Sequence, residues 1–377
     1  MTAIPQARLK PKEDRRLLRG HRWAYRNEFA QLPALDDGAL VDVLNAEGRP
    51  VGRGFYQKEG GIGVRLLDGR AVEVDAAFWS ARLDEARAFR ERCFPGSDVY
   101  RWVFGESDAL PGLVIDRYAS LASVHTSCRF YDNHQSEIIA ALLDTPGIRT
   151  VTFDFNNRRS LHGEECSEVA FSVEGMQLSL PLQGTQKTGL FLDQRLNRVA
   201  IEPWCKGARV LDGHCYHGLW SLHAARAGAV SVLGVDTSAD AVRCAEANAT
   251  ANGVGNVCQF EARAIEDALD DDAMYDVVII DPPAFAKARA HTAAALKRYR
   301  QLNAAAMERV APGGILVSCS CSHFVEPADF LDVIKQAASS VQRKVWLIEM
   351  RGAAPDHPVL LAMPETAYLK CAVLRVG

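Results

Sequence analysis

The spacing of hydrophobic and polar residues predicts a change of architecture at about residue 186. Before that point, short alternating runs such as "ALVDVL" and "VGRGFYQ" predict strands, and the segment "EGRP" between them predicts a hairpin. Two later segments, "AAFWSARLDEARAFRERCF" and "HQSEIIAALLDT", place apolar residues at helical spacing. Residues 1–77 are therefore predicted to form a small β-rich domain, and residues 78–185 a central α+β domain.

From residue 186 to residue 377, predicted strands alternate with predicted helices, which is typical of a parallel α/β sheet. The strands are "ARVLDG", "SVLGVD", "YDVVIID" and "ILVSCSCS", and one of the helices is "TSADAVRCAEANATANG". In such a sheet the ligand binds beyond the carboxyl ends of the strands. Asp212, Asp236, Asp281 and Cys321 all fall at predicted strand ends. We therefore expect these four groups to converge on one crevice of a Rossmann-like domain.

Composition narrows the class of protein. A chain of 377 residues with 48% hydrophobic and 24% charged residues is typical of a globular protein with two or three domains. No apolar run approaches the roughly 18 residues that a membrane span needs, and the first residues lack the apolar core of a secretory signal. The 10 cysteines include no CxxC pair, so we predict neither a disulfide framework nor a metal site. These features predict a cytoplasmic protein with no membrane partner.

The charge distribution is more informative than the net charge of −4. One basic cluster lies between residues 8 and 26, and a second lies between residues 287 and 300. Local basic patches on an acidic protein can attract a polyanion, although solvated helix faces are the alternative interpretation. The candidate RNA-binding residues in the two clusters are Arg15, Arg16, Arg19, Arg22, Lys287 and Arg298.

The loop "DGHCYHG" indicates which kind of nucleotide-like ligand the domain binds. A dinucleotide site needs a middle glycine so that the backbone can approach a pyrophosphate, and Cys215 occupies that position. S-adenosylmethionine has no phosphate, and it needs one acid near its ammonium group and another for its ribose. Asp212 and Asp236 suit these two needs, although each aspartate alone could instead cap a helix terminus. The pattern favours a methyl-donor site over a nicotinamide site.

The segment "DPPAF" points to a flat, polar substrate. Its prolines fix φ and remove backbone donors, which leaves the Asp281 carboxylate and nearby carbonyls open to a hydrogen-bonding ring. Phe285 could stack on such a ring. The alternative is a rigid turn in which Phe285 belongs to the core.

Six blocks carry a family resemblance, in this order along the chain: "LRGHRWAYRNEF", "YRWVFGESDALPGLVIDRY", "KTGLFLDQRLNR", "DPPAFAK", "SCSCSHF" and "DHPVLLAMPETAYLK". With them, essentially the whole chain resembles the bacterial ribosomal RNA large subunit methyltransferase I family, which makes 5-methylcytosine in 23S ribosomal RNA. The resemblance implies an N-terminal PUA domain, a class I methyltransferase domain, S-adenosylmethionine as cofactor and 23S ribosomal RNA as partner. Family members can pair, so it also allows a homodimer.

The resemblance also implies roles for individual positions. The positions expected at the cofactor are Phe191, Asp193, Gln194, Arg195, Asp212, Cys215, Tyr216, Gly218, Asp236, Ala264, Ile265 and Asp281. Among them, Ala264 stands where many methyltransferases have an acid beside adenine, so adenine recognition is expected from backbone groups at Ala264 and Ile265. Asp281 is expected between donor and base, and Cys321 is expected to be the nucleophile.

The chemistry of cytosine explains the need for a thiol. Carbon 5 is a poor nucleophile until a thiolate adds at carbon 6, and a soft, reversible nucleophile suits that step. Cys319, at i−2 on the same strand, either helps to release the product or only packs. Two other functions stay open: methylation of an exocyclic base nitrogen with Cys321 idle, and a non-catalytic RNA-binding factor in ribosome assembly.

Overall fold

The structure is a computed structural model that describes residues 4–182, 188–286 and 288–377. Lys287 and the predicted boundary between residues 185 and 186 lie outside the described residues, and the three-domain division stays a prediction. By contact, the chain divides into two compact units. The first contains residues 4–171, 180–182, 188–189 and 355–366, and the second contains residues 172–179, 190–286, 288–354 and 367–377.

The strands up to residue 181 are β1 (Gln6–Leu9), β2 (Trp23–Tyr25), β3 (Phe29–Gln31), β4 (Leu40–Leu44), β5 (Pro50–Tyr56), β6 (Ile62–Asp68), β7 (Val99–Phe104), β8 (Leu113–Tyr118), β9 (Leu121–Thr126), β10 (Thr150–Phe155), β11 (Arg158–Gly163), β12 (Glu168–Val173) and β13 (Met176–Pro181). The helices of this part are α1 (Asp14–Leu18), α2 (Ala76–Cys93), α3 (Arg129–Asn133) and α4 (Gln135–Leu143).

The first unit contains two sheets, with strand orders β2-β6-β5-β4-β1-β3 and β11-β10-β9-β8-β7. The predicted hairpin is confirmed, because β4 and β5 are antiparallel with Leu40 opposite Phe55. Both predicted helices are present as α2 and α4. Buried Arg90 on α2 pairs with Asp108 at 2.5 Å and donates to the Asp356 carbonyl at 2.9 Å, so the segment 355–366 is tied to this unit.

The strands of the later part are β14 (Arg209–Gly213), β15 (Ser231–Asp236), β16 (Cys258–Ala262), β17 (Tyr275–Ile280), β18 (Val310–Ser320), β19 (Val345–Arg351) and β20 (Lys370–Val376). The helices are α5 (Arg195–Cys205), α6 (Leu219–Arg226), α7 (Ala239–Ala251), α8 (Ile265–Asp270), α9 (Thr292–Arg309) and α10 (Pro327–Ser340). None of the helices in the described parts of the chain combines the length and the apolar character needed to cross a membrane.

The second unit is built on a sheet of order β16-β15-β14-β17-β18-β20-β19. Strands β14 to β18 are parallel, and β20 runs antiparallel to both β18 and β19. The α/β prediction is confirmed. After β14 the chain order continues outward through β15 and β16, and then returns to β17 on the other side of β14. This reversal is the switch point at which open α/β sheets bind ligands.

Candidate active site

The four groups predicted at strand ends lie along one edge of the sheet in the second unit. Asp212 is the last residue but one of β14, Asp236 ends β15, Asp281 follows β17 and Cys321 follows β18. Their strands are adjacent and parallel in the order β15-β14-β17-β18. Because the carboxyl ends of parallel strands share one edge, the four groups stand at the same edge of the sheet, and their convergence on one crevice stays a prediction.

The loop after β14 is wound tightly against the neighbouring strand. His214, Tyr216 and Gly218 have φ values of 62°, 50° and 78°. The Tyr216 amide donates to Asp236 Oδ2 at 3.0 Å, which draws the loop onto the end of β15. A Cβ on Gly218 would lie 2.9 Å from the Cβ of Ala245, so only glycine fits this turn without displacing α7.

Asp212 is fully buried and makes two hydrogen bonds through one oxygen. Its Oδ2 accepts from the Ser221 amide at 3.0 Å and from the Ser221 hydroxyl at 2.7 Å. Among the described residues, its Oδ1 has no hydrogen-bond partner. Burial raises the pKa of Asp212 to about 7, against the opposing effect of the Ser221 hydrogen bonds. One oxygen of the carboxylate therefore caps the first turn of α6, and the other has no hydrogen-bond partner among the described residues.

Asp236 holds the residue that caps α7 while it fixes the loop. Its Oδ1 accepts from the Ser238 amide at 2.9 Å, and Ser238 is the N-cap of α7. Its Oδ2 is the acceptor for Tyr216. The capping interpretation and the proposed ribose contact are compatible, because the Asp236 side chain remains partly exposed.

Asp281 is held by donors from two other elements. Gln194 Nε2 lies 3.1 Å from both carboxylate oxygens, and Trp220 Nε1 donates to Oδ2 at 3.1 Å. Asn197 orients Gln194 by donating to its Oε1 at 2.6 Å. Burial raises the pKa of Asp281 to about 6, although the bonds from Trp220 and Gln194 oppose this effect. The carboxylate is thus ionised and rigidly oriented at neutral pH.

The segment that enters the domain contributes an aromatic wall and internal ion pairs. The Phe191 ring is 42% exposed and lies edge-on to Tyr216, with ring centroids 5.2 Å apart. Asp193 accepts a hydrogen bond from the Tyr368 hydroxyl. Arg195, in contrast, is buried and pairs with Glu174. Of this predicted set, the structure joins Phe191 to the loop, whereas the Arg195 guanidinium is engaged inside the protein.

Ala264 and Ile265 lie where α8 begins, next to β14. Ile265 is buried, and its Cδ1 is only 2.5 Å from the position that a Cβ on Gly213 would occupy. Gly213 therefore allows α8 to approach the end of β14 closely. This approach brings the predicted adenine-contacting backbone to the same strand end as Asp212.

The two cysteines that follow each other in "SCSCS" have different environments. Cys321 is partly exposed, and its Sγ is 3.8 Å from the Pro282 carbonyl oxygen in the Asp-Pro-Pro turn. Cys319 is fully buried opposite Cys371 in the antiparallel β18–β20 pair. Burial raises the pKa of the Cys319 thiol well above its usual value. The geometry favours the packing alternative for Cys319.

Phe285 is partly a core residue and partly an accessible ring, which were the two alternatives that the sequence left open. Its ring is partly buried against Tyr299, with centroids 4.7 Å apart, and Arg298 lies 4.1 Å from its centroid. Arg298 also forms a 3.8 Å ion pair with Glu266. The predicted RNA-binding Arg298 therefore covers the predicted stacking ring.

The arginines of the N-terminal basic cluster fall into two classes. Arg15 and Arg19 are exposed. Arg16 pairs with Glu28 at 2.7 Å, and Arg22 donates to the Leu67 carbonyl at 3.2 Å. Arg15 and Arg19 are thus better candidates for a polyanion contact than Arg16 and Arg22, which support the fold. Lys287, the remaining candidate, lies outside the described residues.

Sequence reasoning did not find Trp220 and Lys370. Trp220 meets Asp281 across 61 positions, and nothing in the segment "GLWSL" indicates that contact. Lys370 had a signal, because it interrupts the apolar run "YLKCAVL" at the start of β20 and is buried there. A buried lysine needs a compensating partner, so its presence in such a run indicates a specific site.

The site fits S-adenosylmethionine in three respects. The orphaned Asp212 Oδ1 is a buried acceptor suited to a cationic ammonium group. The exposed Phe191 ring and Tyr216 supply an aromatic surface. The partly exposed Asp236 carboxylate at the end of β15 is an acceptor suited to the ribose hydroxyls. No contact in the described site requires a phosphate.

Comparison with known proteins agrees with this arrangement. The S-adenosylmethionine-dependent methyltransferase family matches residues 156–372, and the PUA-like domain family matches residues 7–68. The chain is 34% identical to ribosomal RNA large subunit methyltransferase I of Shewanella denitrificans, and 31% identical to that of Alteromonas mediterranea. Each alignment covers 98% of both chains.

A solved structure shows the same fold. SMU.776, assigned as a methyltransferase and complexed with SAH, superposes with a TM-score of 0.88 at 20% identity, covering 99% of this chain and 100% of the other. The match with the methyltransferase family identifies S-adenosylmethionine as the cofactor. The chain belongs to the ribosomal RNA large subunit methyltransferase I family.

Proposed function

We propose that the protein methylates carbon 5 of a cytosine in 23S ribosomal RNA, with Cys321 forming a transient bond to carbon 6. The observation that carries the proposal is the position of Cys321, a partly exposed thiol at a strand end, 3.8 Å from the carbonyl oxygen of Pro282. The relatives are named for ribosomal RNA of the large subunit, and the PUA-like match supports an RNA substrate.

The Cys321 thiolate attacks carbon 6 of the ring, and the electron pair of the 5,6 double bond makes carbon 5 nucleophilic. S-adenosylmethionine would supply the methyl group to carbon 5, and its sulfur would keep the bonding electron pair and leave as S-adenosylhomocysteine. Carbon 5 then loses its proton to a solvent base, the double bond forms again, and the Cys321–carbon 6 bond breaks to return the thiolate. The Cys321 sulfur therefore ends the cycle as the thiolate with which it began.

Asp281 orients the base in this proposal. Gln194 and Trp220 hold its carboxylate through three hydrogen bonds, and two carboxylate oxygens provide about four acceptor positions. The remaining acceptor capacity suits the exocyclic amino group of cytosine, which would fix the ring relative to Cys321. Because its carboxyl has a pKa of about 6, Asp281 is an acceptor above that pH.

The donor is held by the residues on the other side of the switch point. Asp212 Oδ1 and the Tyr216 turn suit the methionine part, and Asp236 suits the ribose hydroxyls. Backbone groups at Ala264 and Ile265 suit adenine. In this arrangement the chain uses aspartates for polar recognition, and Phe191 shields the site from water.

The test compares two single substitutions in the same strand end. Cys321→Ala should reduce methyl transfer to 23S ribosomal RNA by about 10³-fold or more, because it removes the group that activates carbon 5. Cys319→Ala, the matched control, should keep most of the activity because that thiol is buried. Methyl incorporation is measured with radiolabelled donor, and the product nucleoside is identified by mass spectrometry.

Full activity of Cys321→Ala would overturn the carbon 5 mechanism and favour methylation of an exocyclic nitrogen, for which the Asp-Pro-Pro turn is also suited. RNA that carries 5-fluorocytidine gives a second readout, because the fluorine blocks loss of the carbon 5 substituent and traps the adduct. The wild-type protein should form a complex stable to denaturant, and Cys321→Ala should not. Absence of S-adenosylmethionine binding by calorimetry would instead favour a non-catalytic RNA-binding factor.

A further inference from the structure

We propose that Lys370 is a positioning residue that stabilises the thiolate of Cys321 and fixes the segment that carries it. The inference rests on the proposed role of Cys321 as nucleophile and adds a second residue to that role. Lys370 is the first residue of β20 and lies opposite Ser320 in the antiparallel pairing with β18. It is only 2% exposed.

The ammonium group of Lys370 donates hydrogen bonds to two backbone carbonyls, one from the segment that carries Cys321 and one from the segment before β20. Its Nζ donates to the Ser322 carbonyl at 2.7 Å and to the Tyr368 carbonyl at 2.6 Å. Ser322 follows Cys321 directly, so the first bond fixes the residue next to the thiol. An ammonium group has three donors, and these two carbonyls leave one to serve an anion.

The rest of the segment is also held. The Tyr299 hydroxyl lies 3.0 Å from Ser322 Oγ, and Ser322 Oγ in turn accepts from the Ala286 amide at 3.3 Å. Burial raises the pKa of Tyr299, so its hydroxyl stays neutral at physiological pH. Ser320 and Ser322 are fully buried, whereas Cys321 between them is partly exposed. The segment thus presents one side chain outward from a fixed backbone.

The charges near the thiol explain why a cation is needed. Asp281 precedes the Pro282 carbonyl that Cys321 contacts, and Glu326 at the start of α10 interacts electrostatically with Lys370. Like-charge repulsion from Asp281, the residue before Pro282, would disfavour a thiolate at Cys321. Lys370 offsets this repulsion, because its charge interacts favourably with an ionised Cys321.

The other titratable neighbours are a histidine and two buried thiols. His323 follows Ser322 and packs against the Tyr368 ring, with centroids 5.1 Å apart. Cys319 and Cys371 are fully buried, and burial keeps the Cys319 thiol protonated by raising its pKa. Burial lowers the pKa of Lys370 to about 8, against the opposing effects of Cys321 and Glu326. Lys370 is therefore mostly charged at pH 7 and loses its effect above pH 8.

The experiment measures the ionisation of Cys321 directly. The full chain is alkylated with iodoacetamide between pH 5.5 and 9.5, and mass spectrometry of the Cys321 peptide gives the rate at each pH. We expect Lys370→Gln to raise the midpoint of the rate profile by about 1 pH unit, because a nearby opposite charge lowers a thiol midpoint by 1–3 units. At pH 7 this corresponds to an alkylation rate about tenfold lower.

Two variants separate charge from structure. Lys370→Arg keeps the positive charge and should keep the wild-type midpoint, even if its thermal stability falls. Lys335→Gln removes an exposed lysine of α10 and should change neither quantity. The advantage of the wild-type protein over Lys370→Gln should shrink above pH 8, where Lys370 itself loses its proton.

Equal midpoints in folded Lys370→Gln and wild-type protein would overturn the inference. If Lys370→Gln does not fold, the wild-type profile decides: a Cys321 midpoint at or above about 8.5, the value of a free cysteine, would also overturn it. Failure of the proposed function is a separate result, because Cys321→Ala would then keep its methyl transfer whatever the alkylation profiles show.

Discussion

The two oxygens of the Asp212 carboxylate have different environments. One oxygen accepts two hydrogen bonds from Ser221, and the other is buried without a hydrogen-bond partner among the described residues. A buried acceptor without a partner costs about 1–3 kcal/mol. A cationic donor group from a ligand would recover this cost. The unpaired oxygen of Asp212 is therefore an argument that this carboxylate binds a cationic group of the ligand.

Asp212→Asn should separate stability from cofactor binding. The pKa of Asp212 rises from an ordinary value of 3.8 to about 7 in the folded chain, so the folded state holds a proton that the unfolded state has lost. The free energy of unfolding therefore falls as pH rises from about 4 to about 7, and stays lower above pH 7. The asparagine variant lacks this slope. At pH 8 it should be as stable as the wild type or more stable, while its affinity for S-adenosylmethionine falls at least tenfold.

Urea unfolding at pH 5 and pH 8 measures the stability of the two proteins. Calorimetric titration with the cofactor measures their affinity. Asp332→Asn, which changes an exposed aspartate within α10, should alter neither measurement. A loss of stability at pH 8 with unchanged affinity would mean that Asp212 is only a helix cap.

Some residues of the site can be predicted from the sequence and others cannot. Asp212, Asp236, Asp281 and Cys321 could be predicted because each follows an apolar run, and strand ends are a local feature. The partner of Asp281 could not, because the Trp220 indole reaches it only through the fold. The internal role of Arg195 was also invisible, since its partner Glu174 lies in the turn between β12 and β13.

At the scale of elements, the turn between β14 and α6 determines how closely the chain can surround a ligand. Its positive φ values at His214, Tyr216 and Gly218 wind the backbone back towards β15. The Gly218 position combines a positive φ with close packing on Ala245 and Phe260. Backbone strain and side-chain crowding therefore act at the same residue.

Gly218→Ala should destabilise the protein by about 2–4 kcal/mol, because it adds overpacking of about 1–3 kcal/mol to the strain of a positive φ. Gly253→Ala is the matched control. That glycine has a φ of 69°, but nothing lies within 4 Å of the added Cβ. Its cost should be only the conformational part, about 1 kcal/mol.

Denaturant unfolding gives the loss of stability in each variant. The difference between the two losses is the part that crowding at Gly218 produces. Cofactor affinity of Gly218→Ala should fall as well, because the turn contributes the Tyr216 amide to Asp236. Equal destabilisation of the two variants would contradict the crowding that the structure shows at Gly218.

Three strands of the sheet in the second unit were not predicted, and all three lie at or near its edges. β16 ("CQFEA") and β19 ("VWLIEMR") are the two edge strands, and β20 lies between β18 and β19. An edge strand needs less apolar surface, so "CQFEA" carries no clear hydrophobic pattern. The central strands β14, β15, β17 and β18 were predicted because strands covered on both faces read as nearly continuous apolar runs.

For the molecule as a whole, the net charge of −4 does not favour RNA, so we expect a local basic cluster to supply the contact. Only part of the N-terminal basic cluster is available for this purpose. Arg16 and Arg22 are bound to Glu28 and the Leu67 carbonyl, while Arg15 and Arg19 are exposed. Neutralising the bound arginines would disturb the fold and obscure an effect on RNA.

Replacing Arg15 and Arg19 together by glutamine should weaken binding of a 23S ribosomal RNA fragment roughly tenfold at 0.1 M salt. The slope of log affinity against log salt should decrease by about 1.4, because each lost phosphate contact removes about 0.7 for a single strand. Filter binding over a salt series measures both quantities. Arg92→Gln combined with Lys206→Gln removes two other exposed cations and serves as the control; an equal loss in the control would show that net charge, not this cluster, governs binding.

The sequence was sufficient to predict the fold class, the parallel strands of the central sheet and the polar groups at their ends, because apolar runs and their boundaries are local properties. It also determined the family, through ordered motifs along the whole chain. The tertiary structure alone decided which groups are joined: Asp281 to Trp220 and Gln194, Arg195 to Glu174, and Lys370 to the carbonyl beside Cys321. These contacts depend on distances between residues far apart in the chain, and only the packing of the sheet and its helices sets such distances.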